Sequence, residues 1–276
     1  MKKQLKQFLR NRNLVIGSVM VLFVVLVALL APVIAPYPYN QPHLQDKLQP
    51  PSSTYWFGTD EFGRDMLSRV IYGAQPALRV AVLAMIIEMG IGITLGLIAG
   101  YYGGTADRII SFVGDLTWCV PPIVLSMAVI TMIGKGLDNV VLAIAMVSWA
   151  QYTRVVRAKT QSLRTMAFVE TAVAFNESDL SIMFRYILPN IIPSVIVLAS
   201  LSIPQTIMST TSLSFLGLGA QPPSPDWGLA LSTSFSYITT APWLAIFPGL
   251  ALVFTVFGFN LLGEGLRDLL DPRMKV

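Results

Sequence analysis

The chain alternates long apolar stretches with short polar ones punctuated by Gly and Pro. A helix needs about 20 apolar residues to cross roughly 30 Å of hydrocarbon. Residues 14–35 reach that length without a charge, and further stretches fall at 80–101, 109–133, 140–152, 191–208 and 243–262. The pattern predicts an all-α, polytopic membrane protein with six transmembrane helices. The fourth is the shortest, because only 139–153 is free of charge, so its ends must enter the headgroup zone or be covered by neighbouring helices. Lys2, Lys3, Lys6, Arg10 and Arg12 lead into the first span as in a signal peptide. Its apolar run exceeds the roughly 7–15 residues of a cleavable segment, so it reads as a retained signal anchor.

Six spans put both termini on one side, and the distribution of Lys and Arg selects which. The leader carries five, Arg108 stands alone after the second span, the segment 154–186 carries five and the tail three (Arg267, Arg273, Lys275). Those fourteen face five on the other side (Lys47, Arg64, Arg69, Arg79, Lys135), where Asp46, Asp60, Glu61 and Asp65 offset the first three. Both termini are therefore expected in the cytoplasm. The chain divides into a leader 1–13, a first span 14–35, an outer loop 36–76, a core of five spans 77–266 containing an inner hairpin 154–190, and a tail 267–276. A second outer loop covers 217–242.

Composition agrees with the spans. Hydrophobic residues make up 54% and charged residues 12%, half of the roughly 25% that a soluble domain carries. The net charge of +4 is too small and too scattered for a nucleic-acid surface. One Cys (Cys119) and one His (His43) exclude a disulfide framework, a His-and-Cys zinc cluster and an intramembrane Ser/His dyad.

The inner hairpin is the informative polar segment. Residues 168–175 have helical spacing, Ser178 suits the N-cap of a second helix over 180–187, and Pro189 is expected to close it. By pattern alone this is a solvated hairpin whose two helices meet at Asn176. Glu170-Thr171-Ala172, then Asn176, then Leu188-Pro189 resemble the EAA motif (Glu-Ala-Ala-x3-Gly-x9-Ile-x-Leu-Pro) of bacterial ABC importer permeases. Thr171 stands in place of the second-position Ala and Asn176 in place of the Gly. Asn is the next-best residue after Gly for a left-handed bend, so the turn is retained.

Four more stretches resemble the C-type permease of the dipeptide, oligopeptide and nickel branch of that family, and together they cover most of 55–273. They are Trp56-Phe57-Gly58-Thr59-Asp60-Glu61-Phe62-Gly63-Arg64-Asp65 with Ser68-Arg69 and Gly73; Gly100-Tyr101-Tyr102-Gly103-Gly104 with Asp107 and Asp115; Ser214 to Gly228; and Asn260 to Arg273. The resemblance implies the type I ABC importer permease fold in a bacterial inner membrane. It implies a second, B-type permease subunit, two ATPase subunits and a substrate-binding protein as partners. In this reading Glu170, Thr171, Ala172, Phe175, Asn176, Leu188 and Pro189 couple to an ATPase, with Ala172 and Phe175 filling an apolar groove there. Gly58, Thr59, Asp60, Gly63, Arg64 and Asp65 form either a compact loop satisfied through Arg64 and its acidic neighbours, or an outer element shaping the translocation mouth, or both.

Glu88 and Asp115 are ionisable groups inside spans, and such groups usually face protein or water. Each is either a carboxylate hydrogen-bonded between helices or a lining of the pathway. Gly90, Gly92, Gly96 and Gly100 make a small-residue stripe suited to helix packing. The only Gly-Lys pair, Gly134-Lys135, lacks the rest of a P-loop, so ATP and Mg are expected on partner subunits and no cofactor on this chain. An ion-coupled secondary transporter would carry an inverted repeat, which is not evident between 14–133 and 140–262. A membrane enzyme lacks its catalytic and metal-ligating residues. Peptides are the first expectation for the cargo, with nickel or a metal chelate as the alternative.

Overall fold

The computed structural model describes residues 10–270. The expected leader and tail therefore fall partly outside the described residues, as does Asp271. Nine helices carry the described chain: α1 Arg12–Ile34, α2 Met66–Tyr102, α3 Gly104–Trp118, α4 Pro122–Ile133, α5 Leu137–Arg164, α6 Ala167–Ala174, α7 Asp179–Phe215, α8 Trp227–Ser234 and α9 Trp243–Leu270. The β pairing among them is a single bridge, Thr59 with Asp65.

By length and composition α1, α2, α7 and α9 can each cross a membrane, and α3 with α4 would make a fifth span. The expected fourth span, 140–152, lies inside α5, a helix whose second half carries Arg154, Arg157, Lys159 and Arg164 and which fails the same test. Three boundaries differ from the apolar pattern. The helix expected at 80–101 is 37 residues long and starts at Met66, so the loop expected to end at residue 76 ends at Asp65. Ser68 and Arg69 hide that start from hydropathy, but Asp65 caps it by accepting from the Ser68 backbone N–H at 2.8 Å and its hydroxyl at 2.7 Å. The span expected at 109–133 is two helices bent by 92°. Pro121 and Pro122 sit at the bend, where Pro disfavours continuation of α3 and Pro122 opens α4 at a position that needs no backbone N–H.

The third difference is at Pro189, which does not close the hairpin. Residues Ile182–Ile187 form a π-helical turn, and the Leu188 N–H reaches back to the Met183 carbonyl. This one-residue shift moves the helical carbonyls out of register with the proline ring, so α7 passes through Pro189 to Phe215.

The bundle is organised around α2. Gly92, Gly96 and Gly100 pack against Tyr152, Val156 and Thr160 of α5; a Cβ at Gly96 would lie 2.6 Å from Val156 Cβ, and one at Gly100 2.5 Å from Thr160 Cβ. Gly90 belongs to no such seam, because nothing approaches within 4 Å of where its Cβ would be. One buried cluster joins Leu97 and Tyr101 of α2 to Tyr152 and Val156 of α5, Val169 and Ala172 of α6, and Ile182, Ile191 and Val195 of α7. On another side Ala74, Ala77 and Ala81 pack with Val24, Ala28, Ile207, Leu252 and Phe259. The first helix closes on α9 at Gly17, Gly258 and Gly265, and Gln75 donates to the Ala28 carbonyl at 2.8 Å.

Candidate functional site

The segment linking α5 to α7 is a sharp hairpin. Phe175, Asn176 and Glu177 donate backbone N–H groups to the carbonyls of Thr171, Val173 and Ala172, at 3.0, 2.9 and 3.1 Å. This closure requires a left-handed residue just past the helix end, and Asn176 supplies it with φ +59°. The Ser178 side chain then caps α7 by accepting from Ser181 N–H at 3.3 Å. Both features agree with the sequence reading of the bend.

The two faces of α6 differ. Val169 and Ala172 are buried in the chain's own core. Ala172 is thus not free to fill a groove in a partner; it fastens the hairpin to the bundle. Phe175 is 81% exposed at the tip, and Phe168, Val173, Leu180 and Phe184 are exposed around it. An aromatic so exposed has little packing role among the described residues. Glu170 and Thr171 are exposed, and the Thr171 hydroxyl returns to the Ala167 carbonyl at 2.8 Å. Leu188 is half-buried and Pro189 exposed, both inside α7.

Behind the hairpin, Glu170 borders a cleft of about 390 Å³ with Tyr101, Tyr102, Arg164, Val169, Val173 and Asp179. The Tyr101 hydroxyl donates to Asp179 Oδ1 at 2.9 Å. Sequence reasoning missed Asp179 and Arg164. It passed over Tyr101 as part of a Gly-rich helix end, although a tyrosine pair beside glycines was the available signal.

The two intraspan carboxylates have different surroundings. Glu88 is 1% exposed between α2 and its neighbours, and its Oε1 has no hydrogen-bond partner among the described residues. It is within electrostatic reach of Tyr152, whose hydroxyl pairs with Ser202 Oγ at 2.7 Å. Asp115 is exposed and accepts from Arg154 Nη2 at 2.7 Å, while that guanidinium lies 4.6 Å over the Trp118 ring. A second bridge ties Asp107 to Arg157, with Nη2 to Oδ2 at 2.7 Å. Acids of α3 thereby pair with two of the basic residues, Arg154 and Arg157, that made α5 a poor apolar span.

All six outer-loop motif residues meet in one clasp. Asp60 Oδ1 accepts from the backbone N–H of Phe62 and of Arg64 at 2.9 Å each, and Oδ2 takes Arg64 Nε at 2.6 Å and Arg69 Nε at 3.5 Å. Gly58 and Gly63 both have φ +74°, and a Cβ at Gly63 would collide with the His43 carbonyl. The Thr59 hydroxyl donates to the Asp46 carbonyl and accepts from Gln49 N–H at 2.9 Å. Burial and the Asp46 carboxylate push the Tyr55 phenol up to about 12, so it stays a donor to that acid. Arg69 extends the clasp across the fold, reaching the carbonyls of Pro223 at 3.3 Å and Ser224 at 3.1 Å, while Trp227 Nε1 donates to the Val70 carbonyl at 3.0 Å. The compact, self-satisfied reading of this loop matches the geometry, and Arg69 is the member that sequence left out of the site.

A family model described as binding-protein-dependent transport system inner membrane component matches residues 92–276, and one described as N-terminal TM domain of oligopeptide transport permease C matches residues 1–51. The chain is 41% identical to a dipeptide transport system permease protein of Alkalihalophilus pseudofirmus, over 99% of this chain and 90% of that one. It is 42% identical to the glutathione transport system permease proteins of Pectobacterium atrosepticum, over 98% and 90%, and of Escherichia coli, over 98% and 89%. In fold it resembles a chain of the inward-facing MetNI methionine ABC transporter, with a TM-score of 0.57 at 16% identity, covering 74% of this chain and 97% of that one.

Proposed function

The chain belongs to the inner-membrane components of binding-protein-dependent transport systems, and on that premise we propose that it is the C-type permease subunit of an ATP-driven importer of di- or oligopeptides. Dipeptide and glutathione, named for the relatives, favour a peptide over the nickel or metal-chelate cargo that the sequence left open. A B-type permease completes the pathway, a binding protein delivers the peptide at the outer face, and two separate ATPase subunits hold ATP and Mg and carry out hydrolysis.

The observation that carries the coupling role is the tip of the hairpin, where Phe175 stands 81% exposed beside a left-handed Asn176 on a helix anchored by Val169 and Ala172. An anchored helix with an unpacked aromatic is suited to receive a push. Burying Phe175 in a partner groove would contribute on the order of 1.5–3 kcal/mol. Closure of the ATPases would move the hairpin, and the spans would rock to open the cavity outward; reopening would reset it. Glu88 and Asp115 remain candidates for lining that cavity, with Glu88 reached only if α2 separates from its neighbours.

In the assembled importer, a cysteine at position 175 in a Cys119→Ser background should crosslink to an ATPase subunit. Glu170→Ala/Phe175→Ala should abolish uptake while binding-protein docking persists. Full uptake by the double variant together with no crosslink in any nucleotide state would exclude the coupling role.

The orientation proposed from the fourteen-to-five basic bias places residues 1–13, 154–188 and 267–276 in the cytoplasm and 36–76 and 217–242 outside. Single cysteines in a Cys119→Ser background should label at Ser52 from the outer side and at Asn176 from the inner side. Labelling at Ser52 only from the cytoplasm would invert the topology.

A further inference from the structure

Three segments that surround the hairpin converge on one side chain at the end of α2. Tyr101 is 7% exposed and shares a buried cluster with Val169 and Ala172 of α6 and Ile182 of α7. Its hydroxyl donates to Asp179, the first residue of α7 after the Ser178 cap, at 2.9 Å. Arg164, the last residue of α5, places its guanidinium 5.7 Å from the centre of the Tyr101 ring. Tyr102 supports that ring edge-on, with centroids 5.3 Å apart. The cleft behind the hairpin is lined by these same groups, so the hydrogen bond stands beside open space rather than within close packing.

The other end of α2 is held equally firmly. Asp65 caps it and Arg69 bonds the carbonyls of Pro223 and Ser224 in the second outer loop. At about 1.5 Å per residue, the 37-residue helix spans roughly 55 Å between these two fixings. A displacement of the hairpin must either break the Tyr101–Asp179 bond or carry α2 with it. Val169 and Ala172 contribute nondirectional apolar contact, which permits sliding; the bond to Asp179 is charge-assisted and directional.

We propose that Tyr101 is a positioning residue for transport, the joint through which movement of the hairpin is passed to α2 and along it to the outer loops. This rests on the docking role of the hairpin. The experiment uses the complete importer in proteoliposomes with its binding protein and a dipeptide, and reads peptide delivered per ATP hydrolysed. Tyr101→Phe keeps the ring and removes only the hydroxyl; Asp179→Asn keeps the cap region and removes the charge. Each variant should assemble and melt with the wild type and hydrolyse ATP; Tyr101→Phe should lose about tenfold in the peptide-to-ATP ratio, the equilibrium equivalent of one charge-assisted hydrogen bond, and Asp179→Asn, which keeps an acceptor, should lose less. The double variant should lose no more than Tyr101→Phe alone, since that change already removes the bond that Asp179→Asn weakens. Asp179→Glu should recover part of the ratio. An unchanged ratio in both single variants would overturn the proposal, and so would a fall that merely follows a lower melting temperature or failed assembly, because the bond would then serve only the fold. Absence of the position-175 crosslink in the otherwise wild-type importer is a separate result, which removes the docking role instead.

Discussion

Replacing Gly96 by leucine is expected to abolish assembly of the importer. The Gly96 backbone lies directly against Val156, so that even an added Cβ would come within 2.6 Å of the valine Cβ and 2.9 Å of the Thr153 carbonyl. Close approach at small residues is what holds helices together where the surrounding lipid is as apolar as the side chains. Gly96→Ala should destabilise by about 1–3 kcal/mol, the usual range for overpacking, and Gly96→Leu by more. Val156→Ala should recover part of the Gly96→Ala loss, because it removes the nearest side-chain atom beyond the Cβ, Cγ1 at 2.8 Å. Gly90→Ala is the control in the same helix, with no neighbour within 4 Å. Melting in detergent and recovery of the complex measure all four. Equal recovery of Gly96→Leu and wild type would exclude the seam as a determinant of the fold.

The helices were legible in the sequence wherever apolarity and chain direction coincided, and hidden where side chains from elsewhere made a polar segment helical. The first span needed only its own uncharged run. The start of α2 did not announce itself, since the buried Arg69 there is received by Asp60 and by the carbonyls of Tyr39, Pro223 and Ser224, the last two more than 150 residues away. For the same reason α5 looked too short: Arg154 and Arg157 are matched by Asp115 and Asp107 from α3, a pairing that no window along the chain can register. The bend at Asn176 was readable because it depends on the conformational preference of one residue. Passage of α7 through Pro189 was not, because the π turn that relieves the proline is a backbone register shift with no residue signature of its own. The outer motif showed its charged members plainly, yet its role as a clasp between two loops became visible only when Arg69 was placed.

Asp60→Ala is expected to release that clasp and to destabilise the protein by about 3–5 kcal/mol, the range for removing one partner of a buried ion pair. The carboxylate is the common acceptor for Arg64 at 2.6 Å and Arg69 at 3.5 Å, all three side chains being 10% exposed or less. Its loss would leave the buried Arg69 without a carboxylate and Arg64 with only Glu61 at 3.5 Å, along with two backbone N–H groups that had no other acceptor in the turn. Asp60→Asn should be milder, because the amide oxygen can still accept from Phe62 and Arg64 N–H while the charge is lost. Since Arg69 also orders the carbonyls at 223–224, Asp60→Ala should increase protease access to the loop preceding α8 before the hairpin between α5 and α7 is affected. Limited proteolysis in detergent, read beside melting temperature, separates the two regions. Wild-type melting and an unchanged cleavage pattern in Asp60→Ala would mean that the loop is held by its turn glycines and Thr59 alone, and the clasp would lose its structural role.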